Sequence, residues 1–234
     1  MQLSRRGFGL GIAGAAVASS ALAAPPAPNL DTALTAYLDA AFEQELALEP
    51  ERLTQLGRKT ANDRLTDQSE AAQAARLDWR RGSVAEMRRR FDPAKLGDDA
   101  RTSYDIWVLE LARAEEAYKW RGHGYVFARN GAHTGLPNFM INQHRVDTAA
   151  DMAGYVARLA AIGPALDVEL DKARRAAAAG VRMPRFAYDQ SASEVKRLTT
   201  GAPFDGGPDS ALFADAKAKA GALRAAGKID AAQE

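Results

Sequence analysis

The sequence predicts an all-α fold, an irregular multi-helix array with one long structured loop around residues 121–147. Three observations predict it. Apolar residues recur at i, i+3, i+4 and i+7 along most of the chain, which places them on one face of a helix. Capping and stop signals separate these stretches. Almost nothing alternates with period two over the length of a strand, and no repeat of fixed period is visible.

Asn29 or Asp31 caps a first helix, with Leu30, Ala33, Leu34, Tyr37, Leu38, Ala41 and Phe42 as its stripe. Pro50 suits the first turn of a short helix ending at Gly57. Asp67 or Ser69 opens a long helix with Leu77, Val84, Met87 and Phe91 on one face. Asp98 opens the next, and its stripe of Tyr104, Trp107, Val108, Leu111 and Tyr118 is the clearest helical signal in the chain.

Between Gly122 and Asn142 the pattern breaks. Four glycines, Asn130-Gly131, Pro137 and the aromatic residues Tyr125, Phe127 and Phe139 predict a structured loop, with a short extended piece at Phe139-Met140-Ile141. Thr148 and Asp151 form a near capping box for a helix carrying Met152, Tyr155, Val156 and Leu159. Gly163-Pro164 predicts a restart, and that second helix ends at Gly180, before Pro184. A shorter helix is expected over 193–199 and a loop over 201–208. Ser210 caps a last helix with Leu212, Phe213, Ala216, Ala220 and Leu223, which Gly227 ends. Residues 230–234 have the form of a cap and first turn. A single turn has gained few of its hydrogen bonds, so the sequence is expected to be the N-terminal part of a larger domain.

The N-terminus has the parts of an export signal. Arg5-Arg6 is followed by Gly7-Phe8, then an uncharged Gly/Ala/Ser-rich stretch, then Ala21 and Ala23 at the −3 and −1 positions of a cleavage site, and then Pro25-Pro26. Adjacent arginines followed by x-Phe resemble the twin-arginine signal. The alternative is an uncleaved membrane anchor, but glycine and alanine give little transfer energy per residue. The organisation expected is therefore a signal peptide over 1–23 and a helical domain over 24–234. The destination is the periplasm or cell exterior, with the membrane met only during export.

Composition narrows the function classes. The 234 residues suffice for a sizeable core, and 47% hydrophobic with 26% charged residues excludes wholesale disorder. The absence of cysteine removes disulfides, thiolate metal sites and thiol nucleophiles. Cleavage after Ala23 removes two of the 31 basic side chains and leaves 29 against 30 acidic ones. A near-neutral chain lacks the concentrated positive field that nucleic acid needs. Arg88-Arg89-Arg90 and Arg80-Arg81 are expected to form a solvated helix face.

Candidate chemistry is sparse. The histidines, His123, His133 and His144, are ten and eleven residues apart, whereas helical zinc pairs sit at i, i+3 or i, i+4. No metal ligand and no catalytic residue is assigned. Glu115 and Glu116 diverge by about 100° on a helix and do not act on one atom together. The densest polar cluster is Asn142-Gln143-His144-Arg145 with Asp147. It lies between an apolar run and a helix start. Asn142, His144 and Arg145 are its candidate substrate-binding residues, gripping a carboxylate or peptide carbonyl. The plainer alternative is that Asn142 and Asp147 satisfy loop backbone groups.

A string of local motifs runs across nearly all of the mature chain. It comprises Leu46-Ala47-Leu48-Glu49-Pro50-Glu51 with Leu56-Gly57, Asp63-Arg64-Leu65-Thr66-Asp67, and Leu136-Pro137-Asn138-Phe139-Met140-Ile141-Asn142-Gln143-His144-Arg145-Val146. It continues with Tyr155-Val156-Ala157-Arg158-Leu159, Gly180-Val181-Arg182-Met183-Pro184 and Gly201-Ala202-Pro203-Phe204. In order and spacing these resemble the N-terminal half of the bacterial domain-of-unknown-function family 885. That family is similar to zinc metallopeptidases, is mostly helical and exported, and has its H-E-x-x-H motif far toward the C-terminus. This sequence has no His-Glu dipeptide, so no zinc ligand or general base carries over. The resemblance implies the helical portion of an exported zinc-dependent peptidase-like hydrolase. Its partner would be the missing C-terminal catalytic region, its substrate a peptide, and zinc would belong to a full-length relative. A stand-alone helical module that binds a peptide, small ligand or protein is the alternative.

Overall fold

The computed structural model describes residues 29–232. Arg5, Arg6, Phe8, Ala21 and Ala23 lie outside the described residues. Within them the chain forms eight α-helices and no strand: α1 Leu30–Leu46, α2 Pro50–Gln55, α3 Glu70–Arg90, α4 Asp98–Lys119, α5 Ala132–Asn142, α6 Ala149–Ala178, α7 Arg185–Leu198 and α8 Ala211–Ala225. The all-α expectation holds.

The start signals resolve to particular atoms. Asn29 caps α1 by accepting from the Thr32 N–H, and Ser69 caps α3 by accepting from Ala72. Thr148 and Asp151 complete a reciprocal capping box on α6. Asp98 is the first residue of α4, where its charge suits the helix dipole, and Gly97 occupies the cap position.

The helices α1, α3 and α4 pack around Leu34, Met87, Phe91, Ala100 and Tyr104. Tyr37 and Trp107 both reach Ser83 on α3: the Tyr37 hydroxyl donates to its carbonyl at 2.6 Å and the Trp107 indole to its hydroxyl at 3.2 Å. A half-buried aromatic ring that also finds its polar partner fixes orientation as well as area. The second packing unit joins α5, α6 and α8 around Phe139, Met140, Tyr155 and Ile162, with Leu65, Leu136, Leu159 and Leu212 against it.

Three expectations are corrected. The 121–147 loop contains a helix, α5, so Phe139-Met140-Ile141 is helical and only its flanks are irregular. His133, Leu136, Pro137 and Met140 follow i, i+3, i+4, i+7 spacing, and His133, Pro137, Phe139 and Met140 are buried. Burial of that face outweighs the helix penalties of Gly135 and Pro137. The second correction is at Gly163-Pro164, where α6 runs through without a break. Both residues are exposed, so the acceptor freed by the missing proline N–H meets water, while buried Ile162 and Ala176 hold the helix on either side. Third, α7 starts at Arg185, directly after Pro184, rather than near Ser193.

Met87 is fully buried between α3 and its neighbours, whereas Ile106 on α4 is 52% exposed. Met87→Ala is expected to lower unfolding free energy by about 2–5 kcal/mol, and Ile106→Ala by under about 0.5 kcal/mol. Urea titrations of the two variants measure the difference.

Candidate functional site

The buried face of α6 carries two charges, Asp151 in its first turn and Arg158 farther along its apolar stripe. Tyr155, Arg158, Leu159 and Ile162 fall on one helical stripe, and Arg158 is 0% exposed. A buried guanidinium must have its donors met, because an unpaired buried charge is severely destabilising. Here every nitrogen is met. Nε donates to the Arg64 carbonyl at 2.8 Å. Nη1 faces Thr54 Oγ1 at 2.9 Å, Asn62 Oδ1 at 3.1 Å and His144 Nδ1 at 3.1 Å. Nη2 donates to the carbonyls of Pro50 and Ala61, each at 3.1 Å. Phe139 lies beneath, its ring centre 5.2 Å from the guanidinium carbon. None of these partners is a carboxylate. Burial pushes Arg158 below its ordinary value, and the Glu51 and Asp63 carboxylates pull it back up. Arginine's ordinary value lies so far above neutrality that the group stays charged.

These partners come from separate segments, namely α2, the connection between α2 and α3, and the residues just past α5, while Arg158 itself stands on α6. Four of the motif segments quoted above therefore meet at one cation. Glu51 adds to the arrangement by accepting from the Thr66 N–H and hydroxyl, which closes the same connection from outside. Gly154 permits the approach, since a Cβ there would sit 3.0 Å from the Asn62 carbonyl oxygen.

His144 bridges this cluster to a second one. Its Nε2 lies 3.2 Å from Asn62 Nδ2, so both ring nitrogens face donors. A neutral ring satisfies one of those contacts and an imidazolium neither. Burial, followed by the Arg158 charge, lowers its pKa to about 4. The ring packs edge-on to Tyr155, with centroids 5.3 Å apart. Tyr155 donates to Asp215 at 2.7 Å, and Lys219 meets the same carboxylate oxygen at 2.6 Å while donating to the Met140 carbonyl at 2.7 Å. Burial, then the hydrogen bond to Asp215, pushes the Tyr155 phenol up. On the outer side, Lys59 bridges Asp147 at 2.8 Å and Asp151 at 2.5 Å. Burial works against the Asp151 charge, but Lys59 and the Asp147 main-chain N–H hold its pKa below the usual range.

The structure separates the three candidate residues. His144 is buried inside the cluster. Asn142 is exposed and donates to the carbonyl and side chain of Asn138 at 3.0 and 2.7 Å. Arg145 is 81% exposed and 3.8 Å from Asp147. Arg158, Asp215 and Lys219, with Thr54, Lys59 and Asn62, are members that sequence reasoning missed. The available signal was a charged residue in the middle of a helix's apolar stripe, whereas Val156, assigned to that stripe, is 54% exposed.

The other titratable candidates are also engaged separately. Glu115 takes Arg81, and Glu116 takes Lys119 and Trp120. Buried His133 faces Glu194 at 3.2 Å. His123 stacks edge-on against Trp120. Among the described residues no three His, Asp or Glu side chains gather as metal ligands, and His144 has both nitrogens committed. These residues do not fit a zinc ion. The cluster's chemistry is the fixing of four chain segments around a cation, with no base directed at solvent.

Residues 50–234 match the family model described as "Bacterial protein of unknown function (DUF885)". No curated protein and no solved structure matches the chain.

Replacing Arg158 with Met leaves the Pro50, Ala61 and Arg64 carbonyls without their donors. It is expected to lower stability by at least about 3 kcal/mol. Arg158→Lys is expected to be destabilised too, because a point charge does not span the three carbonyls. Arg145→Ala serves as the near-neutral control in the same denaturant titration. The His144 shift sets a pH window. Its folded pKa lies below its unfolded value of 6.5, so its contribution is present above pH 6.5 and is lost as pH falls toward about 4. The loss amounts to roughly 3 kcal/mol. The groups facing the ring are Arg158, Lys219, Tyr155 with Asp215, and Asp151. Denaturation of the parent chain and His144→Gln across this range isolates the histidine, and the variant is expected to show the shallower slope.

Proposed function

Since the chain belongs to the bacterial family DUF885, we propose that it forms the helical scaffold of an exported zinc-dependent peptidase-like hydrolase. On this reading the zinc ligands and general base are borne by a further region, since these 234 residues hold no His-Glu dipeptide. The carrying observation is the place where the family-resembling motifs meet. Segments around Pro50, Arg64, His144 and Arg158 converge on one buried cation. A site that spends its polar atoms on internal partners suits a frame that holds catalytic residues borne elsewhere. Asn142 and Arg145, exposed at the rim of that frame, are the side chains offered to a peptide.

Two measurements test this reading. The genomic reading frame past Glu234 is expected to encode a helix with H-E-x-x-H. A stop codon there, or one zinc per chain retained by this chain after dialysis, overturns the assignment of the site. For export, the N-terminus of the secreted protein is expected at Ala24. Replacing Arg5 and Arg6 with lysine is expected to leave the unprocessed chain in the cytoplasm, and normal processing of that variant removes the twin-arginine reading.

A further inference from the structure

A second feature lies away from the Arg158 cluster. The end of α4, the turn after it, the start of α3 and the last turns of α6 with the residues that follow line an open cavity of about 330 Å³. This volume suits a small organic ligand. Part of its lining is apolar: Val126, Ala176, Ala179 and Val181. Its wall carries Lys119, Arg121, Lys172 and Arg175.

The charges there do not balance. Lys119 pairs with Glu116 at 2.8 Å, Arg121 with Glu70 at 2.9 Å and Lys172 with Glu169 at 2.8 Å. Asp171, one turn before Arg175, is taken by Arg174. Arg175 has no side-chain partner among the described residues. A cation in the last turn of α6 is favoured by the helix dipole, which accounts for the charge but not for its place on a cavity wall. The rim adds two glycines, Gly122 and Gly124, whose main-chain N–H groups make no hydrogen bond to the protein among the described residues. One unpaired guanidinium, two free N–H donors and apolar lining residues are complementary to a particular kind of molecule.

We propose that this cavity binds a carboxylate bearing an apolar substituent. The carboxylate accepts from Arg175 and the glycine N–H groups, and the substituent covers Val126, Ala176 and Val181. The ligand is the C-terminal residue of a peptide or a free organic acid, which share this chemistry. The inference does not rest on the hydrolase reading, because it uses none of the Arg158 cluster and needs no metal.

The test is a titration of the chain followed by amide-proton shifts, with N-acetyl-leucine and N-acetyl-leucinamide as probes. They differ in the carboxylate alone. The acid is expected to bind in the millimolar range, with shifts confined to residues 119–126 and 172–181, and the amide at least about tenfold more weakly. Acetate, which lacks the substituent, is expected to bind more weakly than the acid. Arg175→Gln, a change at an exposed position, is expected to abolish the preference for acid over amide while the chain still unfolds cooperatively, with at most a small loss of thermal stability. Equal binding of acid and amide overturns the proposal, as does no shift in this region up to about 20 mM probe. Retention of the acid preference in Arg175→Gln overturns the assignment to Arg175. A leucine-terminated tetrapeptide separates the sources: binding at least as tight as N-acetyl-leucine assigns a peptide end, and exclusion of the peptide assigns a free acid.

Discussion

The second half of the fold depends on a single constraint: a positive charge placed where water does not reach. Burying a guanidinium is unfavourable unless its N–H groups find acceptors in fixed directions. Arg158 finds them on three main-chain carbonyls and three side chains. A carbonyl that accepts from an immobile donor has its peptide plane set. The connection between α2 and α3 thus has a defined path without any regular structure of its own. The arrangement also explains why the solvating shell holds no carboxylate. Dipoles spread around the fork of a guanidinium meet its several donors at once, whereas one carboxylate meets two.

The neutral state of His144 follows from its burial first and from the same charge second. The ring shares acceptor duty with carbonyls around a cation, and it can do so only with a lone pair directed inward. Tyr155, Asp215 and Lys219 repeat the pattern from the α8 side, where Lys219 also lies 4.6 Å over the Tyr155 ring. Helix α8 is therefore joined to the core by a polar contact as well as by Ala220 and Leu223. Polar groups buried in this way specify one arrangement of the helices where oily side chains alone would tolerate several.

The all-α class, the caps at Asn29, Ser69 and Thr148, and the stripes of α1, α3 and α4 were legible because each is a local property of a few neighbouring residues. Helix α5 was not. Gly135 and Pro137 are local signals for a loop, and the burial that overrides them depends on α6 and α8 for Phe139 and Met140 and on Glu194 of α7 for His133. Gly163-Pro164 failed for a related reason, since an exposed carbonyl can lose its partner to water without ending the helix. At the site, a polar run at a helix boundary drew attention to Asn142, His144 and Arg145, but adjacent positions point in different directions. Only the middle one turned inward. Arg158 was hidden by its neighbours, because a charge within an apolar run is assigned to the surface unless its place on the stripe is traced.

Helix α6 has a further consequence. Its 30 residues make a beam about 45 Å long. The Arg158 anchorage lies toward one end and the Arg175 cavity toward the other, about 26 Å apart along the axis. Pro164 stands between them, and the rung it omits is a notch on the solvent side. The notch faces solvent, so the buried face of α6, from Ile162 to Ala176, runs past it unbroken and one helix serves both places.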